Sequence, residues 1–131
     1  MDQNTLFIIL MIALLLFLVL RKRVSAMGIN QITPADAKKK LDTEKGIVLL
    51  DVRSRNEYLA KHIPGSILIP VDTLENEAAR RLPDKNVEII VYCASGSRSV
   101  MAAKILTKLG YTHVYNLGGI FSWPYKTVSG N

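Results

Sequence analysis

One cysteine, one tryptophan and two histidines are all that the 131 residues hold of these types. A single cysteine excludes an internal disulfide and suits a reducing compartment. No Cys/His cluster has metal-ligand spacing, so no metal is implied. Basic residues are in excess, with a net charge of +6. They form no patch interleaved with aromatics, so nothing supports nucleic-acid binding. There is no internal repeat, and the length allows one ordinary domain and little else.

What the chain does have is one long apolar run. Leu6 to Leu20 is unbroken, and no charge interrupts Gln3 to Leu20. A bilayer span needs ~20 residues, within a range of about 17–25. A cleaved leader would carry its positive charge before the apolar core. Here Asp2 comes before it and Arg21-Lys22-Arg23 after it. A soluble helix in so small a protein would not be apolar on every face. The expectation is a single-pass anchor at the cell membrane over residues 1–23, a linker over 24–31 and a domain over 32–128. The positive-inside rule places that domain in the cytoplasm. Residues 24–131 carry 14 positive and 10 negative charges, net +4, an excess suited to anionic substrates.

The domain is organised around Val87 to Val100. Val87-Glu88-Ile89-Ile90-Val91-Tyr92-Cys93 reads as a strand buried on both faces of a parallel sheet. Small residues and Gly96 follow. Val100, Met101, Ile105, Leu106 and Leu109 then recur with helical periodicity. Cys93 therefore sits where a strand ends and a tight loop enters a helix, the edge at which open α/β sheets bind ligands. The backbone N–H groups of Ala94, Ser95, Gly96, Ser97, Arg98 and Ser99 can curl toward the sulfur, aided by the helix N-terminus. A free thiol titrates near ~8.5, and such a site brings it to ~3.5–7.5. Arg98 adds a planar, fixed positive charge. Against this stands the plain alternative that a lone cysteine is a small buried hydrophobe.

The remaining elements alternate. Thr33-Pro34-Ala35-Asp36 starts a helix running to about Asp42. Lys38-Lys39-Lys40 reads as a solvated face or a contact with anionic lipid. Ile47 to Asp51 reads as a buried strand, with Asp51 holding loop backbone or Arg53. Ser54 can cap a short helix through Lys61, and His62 to Gly65 turn into a strand over Ser66 to Ile69. Thr73 is a possible cap for a helix around Leu74 to Leu82. Val114 to Leu117 makes the last strand, and Gly118-Gly119 a tight turn before a helical Ile120 to Trp123. Trp123 reads as core or pocket wall. His62 and His113 read as structural. The sum is an α/β domain with a mostly parallel sheet of about five strands flanked by helices, preceded by one transmembrane helix.

Cys93-Ala94-Ser95-Gly96-Ser97-Arg98-Ser99 resembles the Cys-x-x-Gly-x-Arg-Ser active loop of single-domain rhodaneses. Leu50 to Tyr58 is similar to that family's Asp-Val-Arg…Glu-Tyr/Phe segment, and Lys61 to Pro70 to its Gly-His-Ile-Pro-Gly-Ala…Ile-Pro segment. Leu117-Gly118-Gly119-Ile120…Trp123 matches the usual ending. Lys61 replaces a usual Gly and Ser66 a usual Ala. The resemblance spans roughly Ile32 to Tyr125.

It implies the rhodanese strand arrangement and a sulfurtransferase without a cofactor. Cys93 would take sulfane sulfur from a small anionic donor such as thiosulfate, and pass it to a thiol, a protein acceptor or cyanide. It also implies that the helix bearing Glu57 lies near the loop. Glu57 then either pairs with Arg98 and holds the loop open, or is a solvated helix glutamate. Two other readings compete. One is a membrane-tethered binding module or sulfur carrier with little turnover. The other is a cysteine phosphatase, which needs five residues between Cys and Arg, where this chain has four, Ala94 to Ser97.

Overall fold

The computed structural model describes residues 1–26 and 29–131, with side chains outside 22–28. Helix α1 runs over Gln3–Ala26, and its stretch from Gln3 to Arg21 is long and apolar enough to cross a membrane. The apolar side chains of Leu6 to Leu20 are exposed, and none of that stretch is buried against the described residues of the domain.

The domain follows as β1 (Ile29–Gln31), α2 (Pro34–Thr43), β2 (Val48–Asp51), α3 (Arg55–Ala60) and β3 (Ile67–Leu68). Then come α4 (Val71–Arg81), β4 (Glu88–Cys93), α5 (Ser97–Lys108), β5 (His113–Gly119) and a 3-10 turn over Ile120–Ser122. All five strands are parallel, in the order β1-β5-β4-β2-β3, which makes β4 the centre. The uninterrupted apolar run of β4 follows from that position, because helices cover both faces of a parallel sheet. Ile89, Val91 and Cys93 point into a core with Leu74, Ala78, Ala102 and Leu106 of α4 and α5. Ile90 and Tyr92 point the other way, to Ala37 of α2, Ile63 and Trp123.

Local chemistry sets the helix starts. Thr33 Oγ1 accepts from the Asp36 N–H at 3.2 Å, with Pro34 in the first turn. Ser54 and Glu57 form a reciprocal capping box on α3.

Four expectations need correction. The linker drawn over 24–31 is too long, because Ile29–Gln31 is the edge strand, paired with Val114 to Asn116. Thr73 caps nothing: α4 starts earlier, at Val71, and the Thr73 hydroxyl bonds Pro70 and Glu77 inside it. The strand expected over Ser66 to Ile69 is only Ile67–Leu68. Gly118 and Gly119 are not a turn but the end of β5. The register with β4 shifts between Val91 and Tyr92, so Leu117 bulges out and Gly118 lies opposite Tyr92.

Trp123 is buried and forms one wall of a cleft of about 420 Å³ between α2 and the C-terminal tail, with Leu41, Leu49 and Ile63. None of its lining residues belongs to the Cys93 loop.

Candidate active site

Cys93 is the last residue of β4, and α5 begins four residues later. Gly96 is the helix N-cap, at φ +118°, a conformation that favours glycine. It has no capping side chain, so the first N–H groups of α5 stay free to face inward. Its own N–H donates to Cys93 Sγ at 3.0 Å. Burial alone would push the thiol pKa up. The hydroxyl and N–H of Ser99 and the N–H groups of Gly96 and Arg98 outweigh it, so the thiol titrates below its ordinary value. The Ser99 hydroxyl has one proton, given to the Gly96 carbonyl at 2.9 Å in this geometry. The N–H donors face no such competition and are the steadier part of the cradle.

The loop does not recruit all its members equally. Gly96 donates its N–H to the sulfur, and Arg98 and Ser99 add to the lowering of the thiol pKa. Ser95 and Ser97 are exposed. Ala94 turns its carbonyl outward to the Phe121 N–H at 3.3 Å. Behind the loop lies Gly119, where a Cβ would sit 2.3 Å from the Ala94 oxygen and 2.8 Å from Ser95 Cα. The sequence reading missed Gly119 as part of the site. Its signal was present, since glycine inside a strand marks close backbone approach.

Arg98 is not free. Its Nη1 and Nη2 donate to Glu57 Oε1 and Oε2 at 2.7 and 3.0 Å, a two-pronged pair. Glu57 Oε1 also accepts from the Ser54 N–H at 3.2 Å and the Ser54 hydroxyl at 3.0 Å. The Arg98 guanidinium first, and the Ser54 bonds with it, hold the Glu57 carboxyl at about 2. The pairing of the two alternatives for Glu57 is therefore the one observed.

Asp51 and Arg53 form a second, deeper pair. Asp51 accepts from the Arg53 N–H at 2.9 Å and from its guanidinium at 2.7 to 3.1 Å. Arg53 Nη2 also donates to the Lys61 carbonyl at 2.6 Å. This ties the end of β2 to the segment after α3 without reaching the sulfur. Ser66, where the resembling segment usually has Ala, has a use here. Its hydroxyl donates to the Ile63 carbonyl at 2.7 Å and meets the Tyr92 hydroxyl at 3.0 Å. His62 stacks on Tyr58 and its Nδ1 lies 2.8 Å from the Tyr58 carbonyl, far from any proton-transfer role. Among the described residues no group of His, Cys, Asp and Glu is placed to hold a metal ion.

This geometry has close relatives. The model of the rhodanese-like domain matches residues 33–125. The chain is 42% identical over 81 residues to thiosulfate sulfurtransferase PspE of Escherichia coli, covering 62% of this chain and 78% of that protein. It is 38% identical to the putative sulfur carrier protein YrkF of Bacillus subtilis, covering 79% of this chain and about half, 55%, of that longer relative. Among solved structures it superposes on a rhodanese with anions from E. coli with a TM-score of 0.61 and 38% identity, covering 64% of this chain and 99% of that one. A human single-domain sulfurtransferase, TSTD1, gives 0.64 at 28% identity, covering 71% and 93%. With motifs, strand order and a family match across most of its length in agreement, this chain belongs to the rhodanese-like family and has the rhodanese α/β fold.

Proposed function

We propose that the protein is a membrane-anchored sulfurtransferase working through a persulfide on Cys93. The Cys93 thiolate attacks the outer sulfur of thiosulfate or of another sulfane donor. The donor's S–S bond breaks, sulfite leaves with the electron pair, and Cys93 keeps one sulfur atom as a persulfide anion. An acceptor thiolate, or cyanide, then attacks that terminal sulfur and releases the Cys93 thiolate. The two half-reactions predict ping-pong kinetics.

The observation that carries this reading is the hydrogen bond from the Gly96 N–H to Cys93 Sγ at 3.0 Å. The same N–H groups that favour the thiolate would stabilise the persulfide anion and the charge that develops during transfer. No general base is needed, in keeping with the place of His62 against Tyr58 and of His113 at the start of β5, the end of the strand away from Cys93. The helix α1 is the anchor of this reading, with the domain on the cytoplasmic side.

The engagement of Arg98 with Glu57 favours a second reading, in which the protein is a slow thiosulfate enzyme and chiefly a sulfur carrier. One experiment separates the possibilities. Full-length protein is reduced, incubated with thiosulfate and weighed intact by mass spectrometry beside Cys93→Ala. Gain of one sulfur atom, absent in the variant and discharged by cyanide as thiocyanate, supports persulfide chemistry. Fast loading with slow cyanide turnover favours the carrier. Absence of loading from thiosulfate and from a small persulfide alike would sink both.

A further inference from the structure

Because all five strands are parallel, the sheet has two unlike edges, one where strands begin and one where they end at the Cys93 loop. Helices α2, α4 and α5 carry the chain from the second edge back to the first. Helix dipoles favour acid in the first turn and base in the last. Helices α2 and α4 obey: Asp36 and Asp72 open them and Lys40, Arg80 and Arg81 close them, while α5 closes on Lys108 but opens with Arg98 and no acid. Charge is thereby sorted between the two edges. At the active loop Asp51–Arg53 and Glu57–Arg98 are neutral pairs, and Lys61 is an exposed cation of that edge.

The edge where the strands begin is one continuous surface. Residues 44–47 line a common shallow cleft with Asp84, Asn86, Val87 and Glu88, and the Thr112 N–H donates to the Lys85 carbonyl at 3.0 Å. It presents Lys45 and Lys108, both exposed, and Lys85, whose ammonium stands 4.2 Å from the Tyr111 ring centre. Three carboxylates share the edge: Glu44 and Glu88 both accept from the one Lys40 at 2.7 Å, and Asp84 accepts from the Asn86 N–H at 2.8 Å, so Lys40, Lys45, Lys85 and Lys108 leave one net positive charge, to which Arg80 and Arg81 at the end of α4 add.

The anchor joins the domain at this same edge. Ile29 pairs with Val114, which pairs with Ile89, and Ile89 with Val48, so the first residue of β1 is level with the start of the sheet. Helix α1 runs five residues, ~8 Å, past Arg21, the end of its apolar stretch, and three Cα steps, at most ~11 Å, lead from Ala26 to Ile29. Cys93 lies four residues beyond Ile89, ~13 Å further along β4.

From these we infer that the basic edge holding Lys45, Lys85 and Lys108 rests on an anionic bilayer surface, which turns the Cys93 loop away from the membrane. The short tether fixes which edge is near the lipid, and the charge makes the contact favourable. Sulfur donor and acceptor are then met from the aqueous side. The inference rests on the proposed membrane anchor.

The test reconstitutes the full chain into vesicles of phosphatidylcholine alone or with phosphatidylserine. A carbonate wash checks the anchor, and a water-soluble lysine acylating reagent maps exposure by peptide mass. Lys61 is the internal reference, since its carbonyl receives Arg53 at the opposite edge. The expected result is retention on both vesicles, with Lys45, Lys85 and Lys108 acylated several-fold more slowly on anionic vesicles only, and Lys61 unchanged. Salt near ~1 M, where the screening length is ~3 Å, should restore the rates. Equal rates on both vesicles with the chain retained would overturn the surface contact and leave the anchor standing. Loss of the chain from both vesicles in carbonate would overturn the anchor itself.

Discussion

Two arginine–carboxylate pairs flank the active loop, and they do different work. Asp51–Arg53 lies beneath it, with side chains 0% and 5% exposed. Glu57–Arg98 lies on its rim, with side chains 34% and 35% exposed. The buried pair satisfies itself and the backbone of two loops, so its two charges are tolerable only together. The rim pair is screened by water and contributes little to stability. It decides instead whether the one cation of the loop is available. The same two residue types thus serve as foundation in one place and as a latch in the other.

Predictions that sharpen this contrast can be ordered by size. The support behind the loop should be the least forgiving part. Gly119→Ala places a methyl group against the Ala94 oxygen and should lower persulfide formation about 10²-fold, the usual effect of misplacing a reacting group by ~1 Å. Loading kinetics with thiosulfate check it, and wild-type rates would show that the loop yields. Next, Asp51→Ala strands a buried guanidinium and should cost about 3–5 kcal/mol of unfolding free energy in urea titration. A cost under ~1 kcal/mol would mean that water reaches Arg53.

At the rim, Glu57→Gln keeps an oxygen for the α3 cap and frees Arg98. Stability should fall by no more than ~1 kcal/mol, while the KM for thiosulfate should fall as the guanidinium becomes available to an anion. An unchanged KM would remove the latch. The pH dependence has a definite sign. The Glu57 carboxyl is held down at about 2 from an ordinary 4.5, so its contribution to stability is complete above 4.5 and disappears as pH falls toward 2. Acid unfolding of Glu57→Gln should lack that component. Smallest of all, Ser99→Ala should move the midpoint of Cys93 alkylation to higher pH, because it removes one of several donors to the thiolate. An unmoved midpoint would leave the N–H groups as the whole cradle.

How far the sequence revealed these features depended on how local their causes are. The strand, loop and helix around Cys93 were readable because β-branched residues, a glycine and a helical period follow one another directly. Asp51 and Arg53 are two residues apart, so their pairing was readable too. Glu57 and Arg98 are 41 residues apart, and only the family resemblance brought them together. The strand Ile29–Gln31 was missed because it is three residues long, with two of them exposed, and has strand character only through β5. Gly118-Gly119 looked like a turn because nothing local announces the bulge at Leu117 that lets β5 continue.

Cys93 is the chain's only cysteine and has 0% of its surface exposed. A persulfide formed here would have no second thiol in its own chain to collapse it. Its lifetime would be set by how often a fitting acceptor arrives, which gives the protein the character of a reservoir that waits rather than a catalyst that leaks.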